Sequence, residues 1–562
     1  MSKRKSNELV YVALGGAGEI GMNCYLYGQG AEGARRWIMV DCGIGFGDME
    51  TAPGVELVLP KTDFIRERAD RLEALFLTHG HEDHVGAIPH LWSDYDAPIY
   101  ARPFTAEVVR RKLEEAGLDT RIVREVSAGE RVRAGEFEVE FVPITHSIPE
   151  ASMLSIRTRA GTVVHSGDFK LDPDPQLGDP VDLSRLKAIG EEGVLAFACD
   201  STNVFLGGNA GSEAEITANL RRIIKAAPGA VAATSFASNV ARLRTLARAA
   251  ADVGRSIVVA GRAMRRMIEV AEQTGQLRDF PPTVAEERAR EIPAENLFYL
   301  VTGSQGEARA ALARIAAGSH PTVSLRAGDT VLFSSKTIPG NEAGIYRLYN
   351  RLSETGIRVI DGEMERIHVS GHARRDDLDR VYKALRPRIS LPIHGEHRHL
   401  VEHAKWGAEW GAAESLVAPN GQLVRLDGNK PGLLEEVETG RIYLDGITQV
   451  GARDGVIRDR LKMARQGHAI VSLVVDEDGV LIADPDVRLV GAPREAQGWP
   501  APLDELIAES IDDAMEEAPK RTLRTDGAIE ELAAKAARRV AMRYWGKKPV
   551  TTVIVTRLDE ED

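Results

Sequence analysis

The segment Thr78-His79-Gly80-His81-Glu82-Asp83-His84, directly behind the apolar run LEALFL, constrains this chain more than any other feature. The apolar run predicts a strand. Alternation at a strand end predicts that His79 and His81 point the same way. The next residues, VGAIPHLW, predict a turn into a helix, with Asp83 and His84 past the turn. Neutral imidazoles and a carboxylate are the ligands that zinc and manganese prefer. Gly80 lets the backbone bend among them. A surface loop has no reason to gather so many ligand types, so the fold must bring further ligands to this strand end.

Other predicted strands end in the same way. His146 closes FEVEFVPITHS, Asp168 closes TVVHSGD and Asp41 closes RWIMVD. Each alone is an ordinary polar residue at a strand end. His146 and Asp168, in this order after the cluster, read together as ligands. Asp168 has two oxygens with which to bridge two ions, and Asp41 is a candidate to orient a ligand or a water.

The pattern of runs and turns divides the chain. Residues 1–210 alternate short β-like runs with Gly, Asp, His or Pro, and form the first part of one domain. From Gly211 a strand-then-helix rhythm predicts a parallel sheet flanked by helices, over 211–367. Ser212 and Glu215 form an S-x-x-E capping box before its first helix. The strand-and-turn style returns over 368–445, so the α/β unit is read as an insertion into the first domain. Residues 446–466, charged and glycine-containing, are expected to be a linker. Residues 467–562 are expected to be a small C-terminal α/β domain. A length of 562 residues fits two to four such domains.

Composition narrows the function classes. No apolar run approaches ~20 residues, so no membrane span is expected. The basic start MSKRKS precedes an apolar stretch too short for a signal peptide. The three cysteines, Cys24, Cys42 and Cys199, form no CxxC pair, which argues against a thiolate zinc site and fits a reducing cytoplasm. The formal net charge of -13 argues against phosphate binding by charge alone. Local clusters run the other way, at Arg262, Arg265 and Arg266 and at Arg374, Arg375, Arg386 and Arg388, although solvated helix faces explain most such clusters. A basic channel between the two large domains is therefore expected. The glycines Gly15 to Gly21 run into the strand-like MNCYLYG and not into a helix, so they are read as a turn rather than a dinucleotide loop.

H-x-H-x-D-H, then a histidine, then an aspartate, each after a strand, resembles the metallo-β-lactamase superfamily. The resemblance implies an α/β fold, an αββα sandwich with a binuclear metal site at one edge. It implies that His79, His81 and His146 hold one ion, that Asp83 and His84 hold the other, and that Asp168 bridges. The stretch ending in Asp200, the segment His368-Val369-Ser370-Gly371-His372-Ala373 and PIHGEHRHL with His394 resemble motifs A, B and C of the β-CASP group of nucleic-acid-processing enzymes. Within that group the wording of motifs B and C, the SFASN stretch and the extra C-terminal domain are similar to bacterial ribonuclease J.

These residues also have chemical uses. His394 would complete the second ion's ligands. His372 is a candidate general acid, since imidazole titrates near neutral pH, and Asp200 could hold it in position. Ser238, Asn239, Ser370 and Gly371 offer hydroxyls, an amide and backbone N–H groups for a phosphate, and His368 and Val369 belong to the same loop. His90, His165, His320, His397, His399, His403 and His468 are read as solvated or core histidines.

The reading is a cytoplasmic ribonuclease that acts on single-stranded RNA. It would use two divalent ions, zinc first, with manganese or magnesium as alternatives. The resemblance implies 5′-to-3′ exonuclease action preferring a 5′-monophosphate, some endonuclease cutting, dimers or tetramers, and other RNA-degradation proteins as further partners. The rivals are a small-molecule hydrolase of the same fold, which would need neither the insertion nor His372, and a non-catalytic RNA-binding scaffold.

Overall fold

The computed structural model describes residues 7–338, 340–428 and 430–558; the basic start MSKRKS and the acidic residues after Leu558 lie outside these. The chain divides into two compact units, one of residues up to Gly45 with Leu59–Arg441, the other of Phe46–Val58 with Ile442–Asp562.

Two sheets organise the first unit. The eight-stranded one has at its centre Leu9–Gly15, Cys24–Gln29, Arg36–Val40 and Leu72–Phe76. The seven-stranded one runs Arg131–Ala134, Phe137–Pro143, Ser152–Arg157, Thr162–His165, Val194–Asp200, Ile389–Ile393 and Glu414–Ser415. Their facing sides share one core, in which Tyr11, Tyr27 and Phe76 meet Phe137, Phe141 and Ile389. The other face of the second sheet is covered by the helices Leu183–Glu192 and Arg375–Leu385 through Leu186, Ile189, Leu378 and Tyr382 against Phe197. The helix Pro103–Glu115 packs on Ile99–Ala101 and Val123–Glu125 of the first sheet, so helix, sheet, sheet and helix form the layers that burial of each apolar face requires. Ile389–Ile393 pairs parallel with Val194–Asp200 although an inserted domain separates them in sequence.

That inserted domain holds a six-stranded sheet, ordered Thr283–Val284, Ser256–Ala260, Leu297–Val301, Val231–Thr234, Thr330–Phe333 and Arg358–Ile360, and every pairing is parallel. Only half of the expected capping box forms, because the helix N-cap is Glu213 and not Ser212. Glu215 accepts the Ser212 N–H and Ser212 Oγ accepts that of Ala214, at the start of the helix Ala214–Ala226.

In the second unit, Asp486–Val490, His468–Val475 and Val550–Arg557 form a sheet covered by the helices Leu503–Glu516 and Asp526–Tyr544. The expected linker 446–466 is ordered instead. It holds the strand Thr448–Gly451, paired with Arg441–Asp445, and the helix Val456–Gln466. Gly455 (φ 87°), within that span, and Gly467 (φ 65°), just past it, are the two caps of that helix. The unit also takes in Phe46–Val58, which the reading had left within the first domain. Among the described residues no helix is long and apolar enough to cross a membrane. The three cysteines are buried and free.

Candidate active site

The singled-out residues lie just past strand C-terminal ends. Asp41 follows Arg36–Val40, His79 to His84 follow Leu72–Phe76, His146 follows Phe137–Pro143, Asp168 follows Thr162–His165, and His394 follows Ile389–Ile393. Asp200 is the last residue of its strand. The strand before His79 ends at Phe76, so strand alternation is not what aims His79 and His81. A loop does so, and Asp41 holds it: its Oδ1 accepts the Thr78 N–H (2.8 Å) and its Oδ2 the Thr78 hydroxyl (2.8 Å). The expected single helix behind the cluster is two short ones, Glu82–Val85 and Ile88–Leu91. Asp83 and His84 ride on the first.

Most of the imidazoles are pinned by the nitrogen that faces away from the centre. His84 Nδ1 donates to Asp41 Oδ2 (2.7 Å), His146 Nδ1 to the Gly371 carbonyl (2.7 Å), and His394 Nδ1 to Asn23 Oδ1 (2.8 Å). His79 Nδ1 donates to Thr78 Oγ1 (3.0 Å). The remaining nitrogens converge. His81 Nδ1 lies 3.0 Å from His79 Nε2 and 3.1 Å from His146 Nε2. Asp168 Oδ2 is 3.7 Å from His79 Nε2 and 3.9 Å from His146 Nε2 on one side. On the other it is 3.2 Å from His84 Nε2 and 3.5 Å from His394 Nε2. Asp83 Oδ2 completes the second group, 3.6 Å from His84 Nε2 and 3.8 Å from His394 Nε2.

His79, His81, His146 and Asp168 therefore make one nest, and Asp83, His84, Asp168 and His394 a second. Ligand nitrogens ~2.1 Å from a tetrahedral ion stand about 3.4 Å apart, so these spacings suit a shared cation. Asp168 Oδ1 is buried with no hydrogen-bond partner among the described residues, which is costly unless a cation sits beside it. The donor set is nitrogen and oxygen throughout, and the residues fit two divalent ions. Burial lowers the pKa of His79, His146 and His81, the last to about 4, so each keeps a lone pair to offer.

Beside the second nest, His372 Nδ1 donates to Asp200 Oδ2 (2.9 Å) and lies 3.9 Å from Asp168 Oδ2. Asp200 is held in turn by the N–H and hydroxyl of Thr202 at its Oδ1. Burial opposes the charge on His372, but Asp200 and Asp168 outweigh it and push its pKa up to about 9. Gly371 has to be glycine, because a Cβ there would stand 2.9 Å from His146 Cε1.

The phosphate candidates divide by what they have left to offer. Ser370 Oγ accepts from Asn203 Nδ2 (2.8 Å) and from the His372 N–H (3.1 Å), so its own proton remains to be donated. Asn239 Oδ1 caps the helix Val240–Ala251, leaving its amide N–H groups. The Val369 side chain is buried and its carbonyl accepts from Arg242, so only its N–H is left. His368 is surrounded by Arg242, Lys336, Lys170 and Arg374, and burial together with these cations holds its pKa well below the usual imidazole range. Ser238 lies half-buried in the loop before Asn239.

The sequence reading missed Asn23, which is fully buried, orients His394 and donates to the Asp83 carbonyl (3.0 Å). An Asn inside the strand-like MNCYLYG was the available signal. It also missed Lys336, whose Nζ donates to Asn203 Oδ1 (3.3 Å). Of the histidines set aside, His403 is core: it bonds Ser201 Oγ (2.9 Å) and the Tyr382 hydroxyl (3.0 Å).

Comparison with known proteins gives four family matches. Residues 17–262 match the metallo-beta-lactamase superfamily and 228–352 the ribonuclease J beta-CASP domain. Residues 349–417 match the Zn-dependent metallo-hydrolase RNA specificity domain and 455–558 the ribonuclease J C-terminal domain. Ribonuclease J of Sinorhizobium meliloti is 42% identical over 556 residues, 99% of this chain and 98% of that protein. Ribonuclease J of Corynebacterium glutamicum is 34% identical over 564 residues, 100% of this chain and 77% of that protein. Ribonuclease J of Thermus thermophilus is 36% identical over 481 residues, 84% of this chain and 83% of that protein.

Proposed function

Because the chain belongs to the ribonuclease J family, with 42% identity to one member over nearly its whole length, we propose that it degrades single-stranded RNA from the 5′ end, prefers a 5′-monophosphate, and also cuts internally. It is a metal-dependent hydrolytic nuclease. The observation that carries phosphodiester hydrolysis at this site is the Asp200–His372 pair beside Asp168, the one carboxylate common to both nests. A small-molecule hydrolase of this fold needs no such pair.

His79, His81 and His146 would hold one divalent ion and Asp83, His84 and His394 the other, with Asp168 placed to serve both. When bound, the ions activate water and offset the charge gained by the attacked phosphate. His372 gives its proton to the leaving 3′ oxygen, and Asp200 keeps the imidazole turned towards that oxygen. Breakage there leaves a 5′-phosphate on the downstream product, which can be the next substrate. Ser370 donates its hydroxyl proton, Asn239 its amide N–H, and Ser238, His368, Val369 and Gly371 line the loop that holds the phosphate. Zinc suits the imidazole-rich first nest, and manganese or magnesium is an alternative. Assembly as a dimer or tetramer, work in RNA processing and decay in the cytoplasm, and association with other degradation proteins complete the proposal.

One RNA bearing a 5′-monophosphate, triphosphate or hydroxyl, digested with and without Mn²⁺, tests it. Wild type should release mononucleotides fastest from the monophosphate, and Asp83→Ala and His372→Ala should each lose at least 100-fold in rate, the scale of lost general-acid or metal catalysis. Equal cleavage by the variants would overturn the mechanism.

A further inference from the structure

The parallel sheet of the inserted domain ends in a cavity of about 740 Å³, formed by the loops that leave Val231–Thr234, Ser256–Ala260 and Leu297–Val301. Open parallel sheets bind ligands in the crevice outside the C-terminal ends of their strands. This cavity is rich in guanidinium groups, with Arg262, Arg265, Arg309 and Arg314 on its walls against Glu286 and Glu307. Glu286 is spent on Arg265 (2.8 Å) and also accepts the Thr322 hydroxyl (2.6 Å). Glu307 accepts the Gln305 N–H (3.0 Å). No ion pair with a carboxylate is found for Arg262 or Arg314 among the described residues. In a chain of formal net charge -13, two unspent guanidiniums facing one cavity need an explanation.

The same reckoning explains the rest of the Arg262, Arg265 and Arg266 cluster. Arg265 is paired within the cavity wall, and Arg266 bonds Glu115 on another helix of the same unit. Arg262 opens the helix Arg262–Gln273, whose first-turn amides add positive potential to the cavity. The wall also carries the half-buried ring of Phe236, a flat apolar face. Phe236 and Ala237 run directly into Ser238 and Asn239, the loop assigned above to RNA phosphate.

We propose that this cavity binds a phosphate-and-base unit of the RNA strand, away from the bond being cut, with Arg262 and Arg314 on the phosphates and Phe236 against a base. The proposal rests on the ribonuclease reading for its choice of ligand. The chemistry recognised is that of a nucleoside monophosphate, which a free mononucleotide also carries. The cavity is large enough for one or two nucleotides, and its continuity with the Ser238 loop favours the strand.

The test is equilibrium binding of a fluorescein-labelled 12-nucleotide RNA to the full chain in EDTA, followed by anisotropy across a salt series, with AMP titrated separately. Arg262→Gln combined with Arg314→Gln alters exposed side chains, and an unchanged Tm checks the fold. The double variant should bind RNA about 10-fold more weakly, and its log–log salt slope should fall by about 1.4, for two lost phosphate contacts on a single strand. Its rate on thymidine 5′-p-nitrophenyl phosphate, too short to reach the cavity, should match wild type. Equal RNA affinity and slope would overturn the strand assignment. If AMP binding were lost alongside, the occupant would be free nucleotide; if it persisted, the site itself would fall. Because binding is read without catalysis, a wild type that binds RNA but cleaves none with Mn²⁺ would sink only the ribonuclease reading.

Discussion

Asp41 shows how a residue that belongs to neither nest can govern one. It is fully buried, with its pKa raised by burial. Its two oxygens take the Thr78 N–H, the Thr78 hydroxyl and His84 Nδ1–H. Asp41 and His394 both hold left-handed backbone, φ 58° and 50°, a conformation non-glycine residues keep only when their surroundings enforce it. Asp41→Asn keeps the shape but puts an N–H₂ group where His84 Nδ1–H must donate. The His84 ring then has to turn, or present the wrong tautomer to the second nest. Loss of such an outer partner costs 10–100-fold in metal affinity. A chelator competition with zinc should show that loss while Tm without metal stays within a few degrees; unchanged affinity would mean that His84 is oriented by something else. Asp41 was legible because it ends an apolar run, as the ligands do. Asn23 was not, because one Asn just ahead of a strand has no spacing to declare it, and its partner His394 is 371 residues away.

Glu140 does for a sheet what Asp41 does for a loop. It lies on Phe137–Pro143 with its side chain 3% exposed. Arg131 and Arg157 reach it from the flanking strands and Arg185 from the helix Leu183–Glu192. Burial would raise its pKa, but Arg185 and Arg157 outweigh burial and hold it at about 2 against an ordinary 4.5. A carboxylate with a depressed folded-state pKa adds stability above its unfolded pKa and loses it as pH falls through the folded one. Glu140→Gln should therefore cost about 2 kcal/mol near neutral pH, less than the full shift implies because the arginines are partly exposed. In urea melts, the gap to wild type should stay constant from pH 8 to about 5 and close between about 4.5 and 2. A gap that is flat throughout would remove the ionic explanation. Elements of this kind were readable where apolar runs met sharp punctuation, as at Leu72–Phe76 and Ile389–Ile393. They were misread where punctuation has two meanings. The charged, glycine-containing span 446–466 suggested a linker and instead holds a largely exposed helix, Val456–Gln466, of which Ile457 alone is buried. The membership of Phe46–Val58 in the C-terminal unit is set by partners some 400 residues away, which no local pattern encodes.

The inserted domain contributes to the site only if the loop carrying His368 to His372 keeps its place against it, and one buried guanidinium makes that connection. Arg242 is fully buried. It meets Glu213 through Nε (2.9 Å) and a second nitrogen (2.6 Å), the Ser334 carbonyl (2.8 Å) and hydroxyl (2.9 Å), and the Val369 carbonyl (3.3 Å). Ser334 donates onward to the Ile367 carbonyl (2.6 Å). The outgoing segment 367–369 is thus bound to the exit of the strand Thr330–Phe333 and the approach to the helix Ala214–Ala226. Stability and positioning can be separated here. Arg242→Met strands the Glu213 carboxylate in the interior, which costs roughly 3–5 kcal/mol. Adding Glu213→Gln removes the stranded charge, so most of the lost Tm should return. The tie to Ser334 and Val369 does not return with it. His372 and Ser370 sit within three residues of Val369, so the double variant should stay about 10-fold slow on RNA at near wild-type stability, a misplacement effect on kcat rather than on folding. If the double variant regained activity along with Tm, Arg242 would be only a structural ion pair, and the placement of the His372 loop would have to come from Asn203 and Gly371 alone.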